Sequence, residues 1–151
     1  MSSLPTRSTG TDHVTGLCSR GELEGRLAQL LPPADTSSES AVALLLCDVV
    51  GLKEVNDRDG FHAGDAVLAA ASRRLQDVSR EAALLARLGG DELIAVFLGP
   101  DSEKHAAAAA AALSPTRHPS SPRLRTAWGT ATAEETADAL IDRLYASMRA
   151  S

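Results

Sequence analysis

In Arg87-Leu88-Gly89-Gly90-Asp91-Glu92-Leu93, two acidic side chains directly follow a pair of glycines. Adjacent carboxylates repel one another and are relieved by a bound cation, so their type and spacing point to a divalent-metal site. A third carboxylate, Asp48, closes the apolar run Ala41-Val42-Ala43-Leu44-Leu45-Leu46-Cys47, and the end of a buried strand is a common place for a metal ligand. Beyond it come Val49-Val50-Gly51-Leu52-Lys53-Glu54-Val55-Asn56-Asp57, then Gly60, Gly64 and Asp65. Taken singly, these residues also admit plain readings. Asp91 and Glu92 are then solvated turn residues, Asn56-Asp57 a turn, Asp65 a helix cap and Lys53 a surface lysine.

Such residues need elements to hold them. Ala83-Leu84-Leu85-Ala86 and Leu93-Ile94-Ala95-Val96-Phe97-Leu98 are strand-like runs, so the glycines read as a hairpin tip and supply the positive φ angles of a tight turn. Upstream, Ser19 is a predicted N-cap with Glu22 three positions on, and Leu23, Leu27, Leu30 and Leu31 form an apolar stripe that ends before Pro32-Pro33. Residues 34–40 read as a loop before the Asp48 strand. A short helical turn over 51–55 and a loop over 60–64 follow it. Asp65 then opens a helix to about Ser79, with Val67, Leu68, Ala71, Leu75 and Val78 inward. An alanine-rich helix is predicted over 102–113, a proline-bearing loop over 114–122, a strand over 124–132 and a helix over 134–148. The order helix, strand, helix, strand, strand, helix, strand, helix predicts an α+β sandwich of helices against a mixed sheet.

Composition excludes several functions. A chain of 151 residues fits one domain, without a linked sensor, and residues 1–11 are too poor in apolar side chains to be more than a disordered tail. A net charge of -5 argues against a partner that tracks nucleic-acid phosphates, and only Phe61, Phe97, Trp128 and Tyr145 could stack on bases. Neither a signal peptide nor a membrane span is legible, so the expected setting is soluble and cytoplasmic. Cys18 and Cys47 have no metal-ligand spacing, and Cys47 reads as an inert core thiol in a reducing compartment. His13, His62, His105 and His118 share no ligand spacing. Aligning Gly60 with the glycine of a calcium loop puts Val55 and Ala66 at ligand positions, which rejects an EF-hand. Walker-type and Rossmann fingerprints are absent.

Together, these stretches resemble the GGDEF family, the diguanylate cyclases, over nearly the whole chain. The family's succession of a strand-end Asp, Phe-Lys, Asn-Asp, Gly-His and Gly-Asp is met by Asp48, Lys53, Asn56-Asp57, Gly60 and Gly64-Asp65. Asp12-His13-Val14-Thr15-Gly16-Leu17-Cys18-Ser19-Arg20 is similar to its opening motif. Leu93 and Leu52 stand where Phe is usual, Phe61 where His is, and Ser19 where Asn is. The resemblance implies a single domain over residues 12–151 with a palm-like, ferredoxin-like βαββαβ core. It also implies condensation of two GTP into cyclic di-GMP, a bacterial second messenger, with release of pyrophosphate. Asp48, the Val49 carbonyl and Asp91 would hold two magnesium ions, with manganese as a substitute. Glu92 would orient or deprotonate the attacking 3′-hydroxyl, and Lys53 would touch phosphate. Gly89 and Gly90 would let the turn approach the phosphates, while Asn56 and Asp65 would read the guanine edge. Two loaded copies must face each other, so a homodimer is the expected active form.

Departures from the family support a second reading, a weak or inactive domain that binds GTP, cyclic di-GMP or a protein as a regulatory module. The last helix, Ala139-Leu140-Ile141-Asp142-Arg143-Leu144-Tyr145-Ala146-Ser147-Met148-Arg149, lacks the family's phosphate-gripping lysine, and Ala127 replaces a usual Ser. Arg80-Glu81-Ala82-Ala83 retains Arg80 of a product-binding Arg-x-x-Asp motif but has Ala83 in the acid's place.

Overall fold

A computed structural model describes residues 10–113 and 122–150. The tail expected over 1–11 therefore lies outside the described residues up to position 9, as does the loop expected over 114–122 except for Pro122. Within the described residues Gly10 accepts from the Ser19 amide at 3.1 Å and Thr11 bridges Cys18, so residues 10 and 11 pack onto the domain.

The elements are α1 (Arg20–Leu30), β1 (Val42–Val49), α2 (Leu52–Asp59), α3 (Phe61–Val78), β2 (Leu84–Gly89), β3 (Glu92–Leu98), α4 (Ser102–Leu113), β4 (Leu124–Thr130) and α5 (Ala137–Ala150). Ser19 caps α1, its hydroxyl accepting from the Glu22 amide at 3.2 Å. Strand order is β2-β3-β1-β4, the arrangement of a βαββαβ core. All four named strands pair antiparallel, so the sheet is not mixed as expected. The single parallel pairing among the described residues is the bridge from Cys18 to Ala86.

Both faces of the sheet are covered, which is why β1 is apolar at every position up to Asp48 instead of alternating. Leu45, Cys47, Leu93 and Phe97 pack against α3 and α4 on one face. Leu44, Leu46, Ile94 and Val96 pack against α1 and α5 on the other. The alanines of α4, with Ala106, Ala109 and Ala110 buried, bring that helix close to the sheet. Arg74 of α3 donates to the carbonyls of Leu113 (3.1 Å) and Pro122 (2.9 Å), placing a cation at the C-terminus of α4, where the helix dipole favours it.

Two local expectations are corrected. Residues 60–64 are not a loop, because Gly60 alone, at φ 92°, absorbs the break between α2 and α3, so α3 starts at Phe61 rather than Asp65. Neither Gly89 nor Gly90 takes a positive φ. The turn runs instead through a bulge between Arg87 and Gly89, and a Cβ at 89 would stand 2.6 Å from Glu92 Oε1, so a side chain there would shift the Glu92 carboxylate.

Candidate active site

Sheet register assembles the acids. In the antiparallel ladder Asp48 pairs with Glu92 on one side and with Arg125 of β4 on the other, so these three side chains form one row on the α1 and α5 face. The Val49 amide donates to the Asp91 carbonyl at 2.8 Å, closing the end of β1 against the turn and bringing Asp91 beside Asp48. Burial first, then the Asp48 charge and its hydrogen bond, push the Asp91 carboxyl above the ordinary carboxylate range. Two carboxylates forced together in this way form a site that gains from a cation. Among the described residues no group of three or more His, Cys, Asp or Glu converges on one point. The Asp48 and Asp91 carboxylates are hard oxygen donors of the kind magnesium takes one or two of, completing its shell with water and phosphate.

Arg125 Nη2 donates to Asp48 Oδ2 at 2.5 Å, with the Asp48 side chain 14% exposed and Arg125 57% exposed. Glu92 accepts at Oε1 from the Tyr145 hydroxyl of α5 at 2.6 Å. Partial burial and this bond to a carboxylate push the tyrosine hydroxyl well above its ordinary value. The turn itself is braced by Arg87, which donates to the carbonyls of Gly89 (3.2 Å) and Gly90 (2.8 Å) and to Asp12 Oδ1 (3.1 Å). Burial would raise Asp12, but bonds from the Thr15 amide and hydroxyl and from Arg87 outweigh it and hold the carboxyl below its usual range.

A cavity of about 420 Å³ opens beside the turn. Asn56, Phe61 and Asp65 line one side, and Gly90 and Asp91 line the other. The expected base-reading residues therefore share this space with Asp91, while Asp48 and Val49 lie outside it. Asn56 lies inside α2 and Asp65 inside α3, which removes the turn and helix-cap readings. Gly64 is buried beneath Asn56, and a Cβ at 64 would overlap Asn56 Oδ1. Lys53 lines the same cavity and pairs with Asp57 at 3.2 Å on the exposed side of α2. Arg80 is exposed in the turn after α3, apart from these groups, while Ala83 donates its amide to the Val96 carbonyl. Cys47 is fully buried and its thiol is pushed up to about 12, consistent with an inert core residue.

Sequence reasoning assigned no role to Arg125, Tyr145 or the guanidinium of Arg87. Arg87 lies within the glycine stretch itself, and Tyr145 sits at a regular place in the last helix. For Arg125 no local signal exists, since its partner is set by strand register.

Fold and site together define a nucleotide-cyclase type of domain. A family model described as diguanylate cyclase, GGDEF domain, matches residues 9–150, and the chain belongs to this family. Diguanylate cyclase TpbB of Pseudomonas aeruginosa is 45% identical over 89 residues, 59% of this chain and 20% of that protein. An uncharacterized signaling protein of Caulobacter vibrioides is 40% identical over 97 residues, 64% of this chain and 12% of its own length. The chain thus spans a fifth or less of these two relatives. The GGDEF domain of DgcB from Caulobacter crescentus, solved in complex with c-di-GMP, superposes with a TM-score of 0.76 at 20% identity over 94% of this chain and 89% of that one. That likeness shows the fold. The isolated GGDEF domain of TpbB, at 29% identity, gives a TM-score of 0.70 over 93% of this chain and 87% of that one. No helix among the described residues is long and apolar enough to cross a membrane.

Proposed function

We propose that this domain condenses two GTP molecules into cyclic di-GMP. In each half-reaction a 3′-hydroxyl oxygen bonds to the α-phosphorus of the other GTP, the bond from that phosphorus to the bridging oxygen breaks, and pyrophosphate departs. The observation that carries this reading is the single cavity joining Asn56 and Asp65 to Asp91, with Asp48 held beside Asp91 by the register of β1.

Asn56 offers the guanine edge a donor and an acceptor, and Asp65 accepts from its ring and exocyclic N–H groups. Phe61, 76% exposed at the cavity, gives the base a face to stack on. Asp48, the Val49 carbonyl and Asp91 would hold magnesium, which when bound neutralises the triphosphate and acidifies the attacking hydroxyl. Glu92 has Oε1 occupied by the Tyr145 hydroxyl, which leaves Oε2 to orient that hydroxyl or take its proton. Lys53 supplies a positive charge at the rim. One cavity holds one base, so reaction requires two copies face to face, and a lone Arg80 without a partner acid implies weak product inhibition. This chemistry belongs to soluble second-messenger signalling in a bacterial cytoplasm.

A second reading has its own observation: Asp48 is already paired with Arg125, and α5 contains no lysine, which suits a nucleotide-binding regulatory module. Purified protein incubated with GTP and magnesium over a range of protein concentrations separates the two. Cyclic di-GMP formation rising more than linearly with protein, and lost in Glu92→Gln, supports the cyclase. Binding of GTP with no product at any concentration supports the module.

A further inference from the structure

Resting on the nucleotide site proposed above, we infer that Arg125 is the residue that grips the substrate phosphates in this domain. The chain has two lysines, Lys53 and Lys104, and neither is in α5, where Met148 is buried at 4% exposure. Three other arginines near the row have structural tasks, Arg20 pairing with Glu24 and donating to the Leu88 carbonyl, while Arg123, exposed just before β4, does not pair across from Asp48 in the sheet register. Arg87 is spent on the turn carbonyls and Asp12, and Arg143 on Glu135 and the Thr130 carbonyl. Arg125 is more than half exposed and stands directly across from Asp48, which itself stands across from Glu92.

Neighbouring positions in such a row are about 5 Å apart at Cβ, so the guanidinium lies within a side chain's length of whatever bridges Asp48 and Glu92. Charge favours an anion there only after a cation has arrived. Asp48 and Asp91 face Arg125 across this edge while Arg20 stands near Glu92, and a divalent ion on Asp48 competes for the carboxylate that now accepts from Nη2. Released from Asp48, the guanidinium fork matches two phosphate oxygens at once, which a lysine in its place would meet only as a point charge. The pair with Asp48 is thus the resting position of a phosphate ligand, and the grip comes from β4 instead of α5.

The test is calorimetric binding of 3′-deoxy-GTP, which lacks the attacking hydroxyl and cannot be condensed, and of guanosine, both in magnesium. Arg125→Gln is expected to weaken 3′-deoxy-GTP about tenfold, the lower range for a charge-assisted bond at an exposed site, and to leave guanosine unchanged. Arg125→Lys should retain part of the triphosphate affinity, and circular dichroism should show both variants folded. Equal or tighter 3′-deoxy-GTP binding by Arg125→Gln would overturn the inference and make Arg125 a mere competitor for the metal site. Should wild-type protein bind neither ligand, the nucleotide reading of the cavity fails first and the role of Arg125 with it.

Discussion

Replacing Asp91 by Asn should make the metal-free domain more stable while destroying its response to magnesium. The Asp91 carboxyl is raised above its ordinary 3.8 by burial and then by the Asp48 charge, so the folded state binds that proton more tightly than the unfolded chain. A raised carboxyl contributes fully to stability below pH 3.8 and loses that contribution as pH climbs through the raised value, so at pH 7 the ionised pair works against folding. Two unit charges about 4 Å apart repel by about 4 kcal/mol at an effective dielectric of 20, but solvent at this half-exposed edge screens most of it, leaving about 0.5–1 kcal/mol. Asn removes the charge at nearly constant volume. For a domain of this size the gain corresponds to a rise in Tm of about 1–4 °C in EDTA at pH 7, fading as pH falls towards 4. Differential scanning fluorimetry with and without magnesium reads both effects. A lower Tm for Asp91→Asn in EDTA, or an undiminished rise on adding magnesium, would refute the like-charge account of this edge.

Three further outcomes are expected. Tyr145→Phe keeps the ring but removes the donor to Glu92, so kcat for cyclic di-GMP should fall about tenfold with KM little changed, the effect of about 1.5 kcal/mol from one hydrogen bond to a charged group; an unchanged kcat, or a loss confined to KM, would show that this bond does not position Glu92 for the reaction. Gly64→Ala should displace the Asn56 amide, and guanosine titrations should show affinity falling towards that for adenosine while far-UV circular dichroism is preserved. Leu45→Ala, at a fully buried position in the central strand, should cost about 2–5 kcal/mol in urea unfolding, with no change in the preference for guanosine among molecules that remain folded.

The separation of stability and function at this edge has a physical origin. Carboxylates set side by side, as a metal site would need, are unfavourable neighbours when no cation is bound, and the surrounding structure holds them there through interactions that do no chemistry. Arg87 pins the turn, Tyr145 holds Glu92, and the Val49 amide pins Asp91, while the buried strands behind them absorb the cost. The 720 Å³ groove between α1 and α5, lined in part by Leu27, Ile141 and Tyr145, lies on the face that carries Glu92, so α5 links that surface to the site.

Much of this was legible from residues alone. Alternation failing in β1, the capping serine of α1, the alanine-rich α4 and the order of elements are local or periodic signals, and each foretold its element because burial and backbone propensity act on neighbours in sequence. The acids at 48, 91 and 92 were identifiable by type, because charge at the end of an apolar strand is costly without a purpose. Tertiary structure alone decided the rest. That Gly89 serves the place of the Glu92 carboxylate rather than a positive φ depended on where the Glu92 side chain came to lie. Where α3 begins depended on one residue, Gly60, taking a backbone angle that no pattern announces. The partner of Asp48 depended on strand register, which couples positions 77 residues apart through hydrogen bonds of the backbone and leaves no mark on the sequence around either.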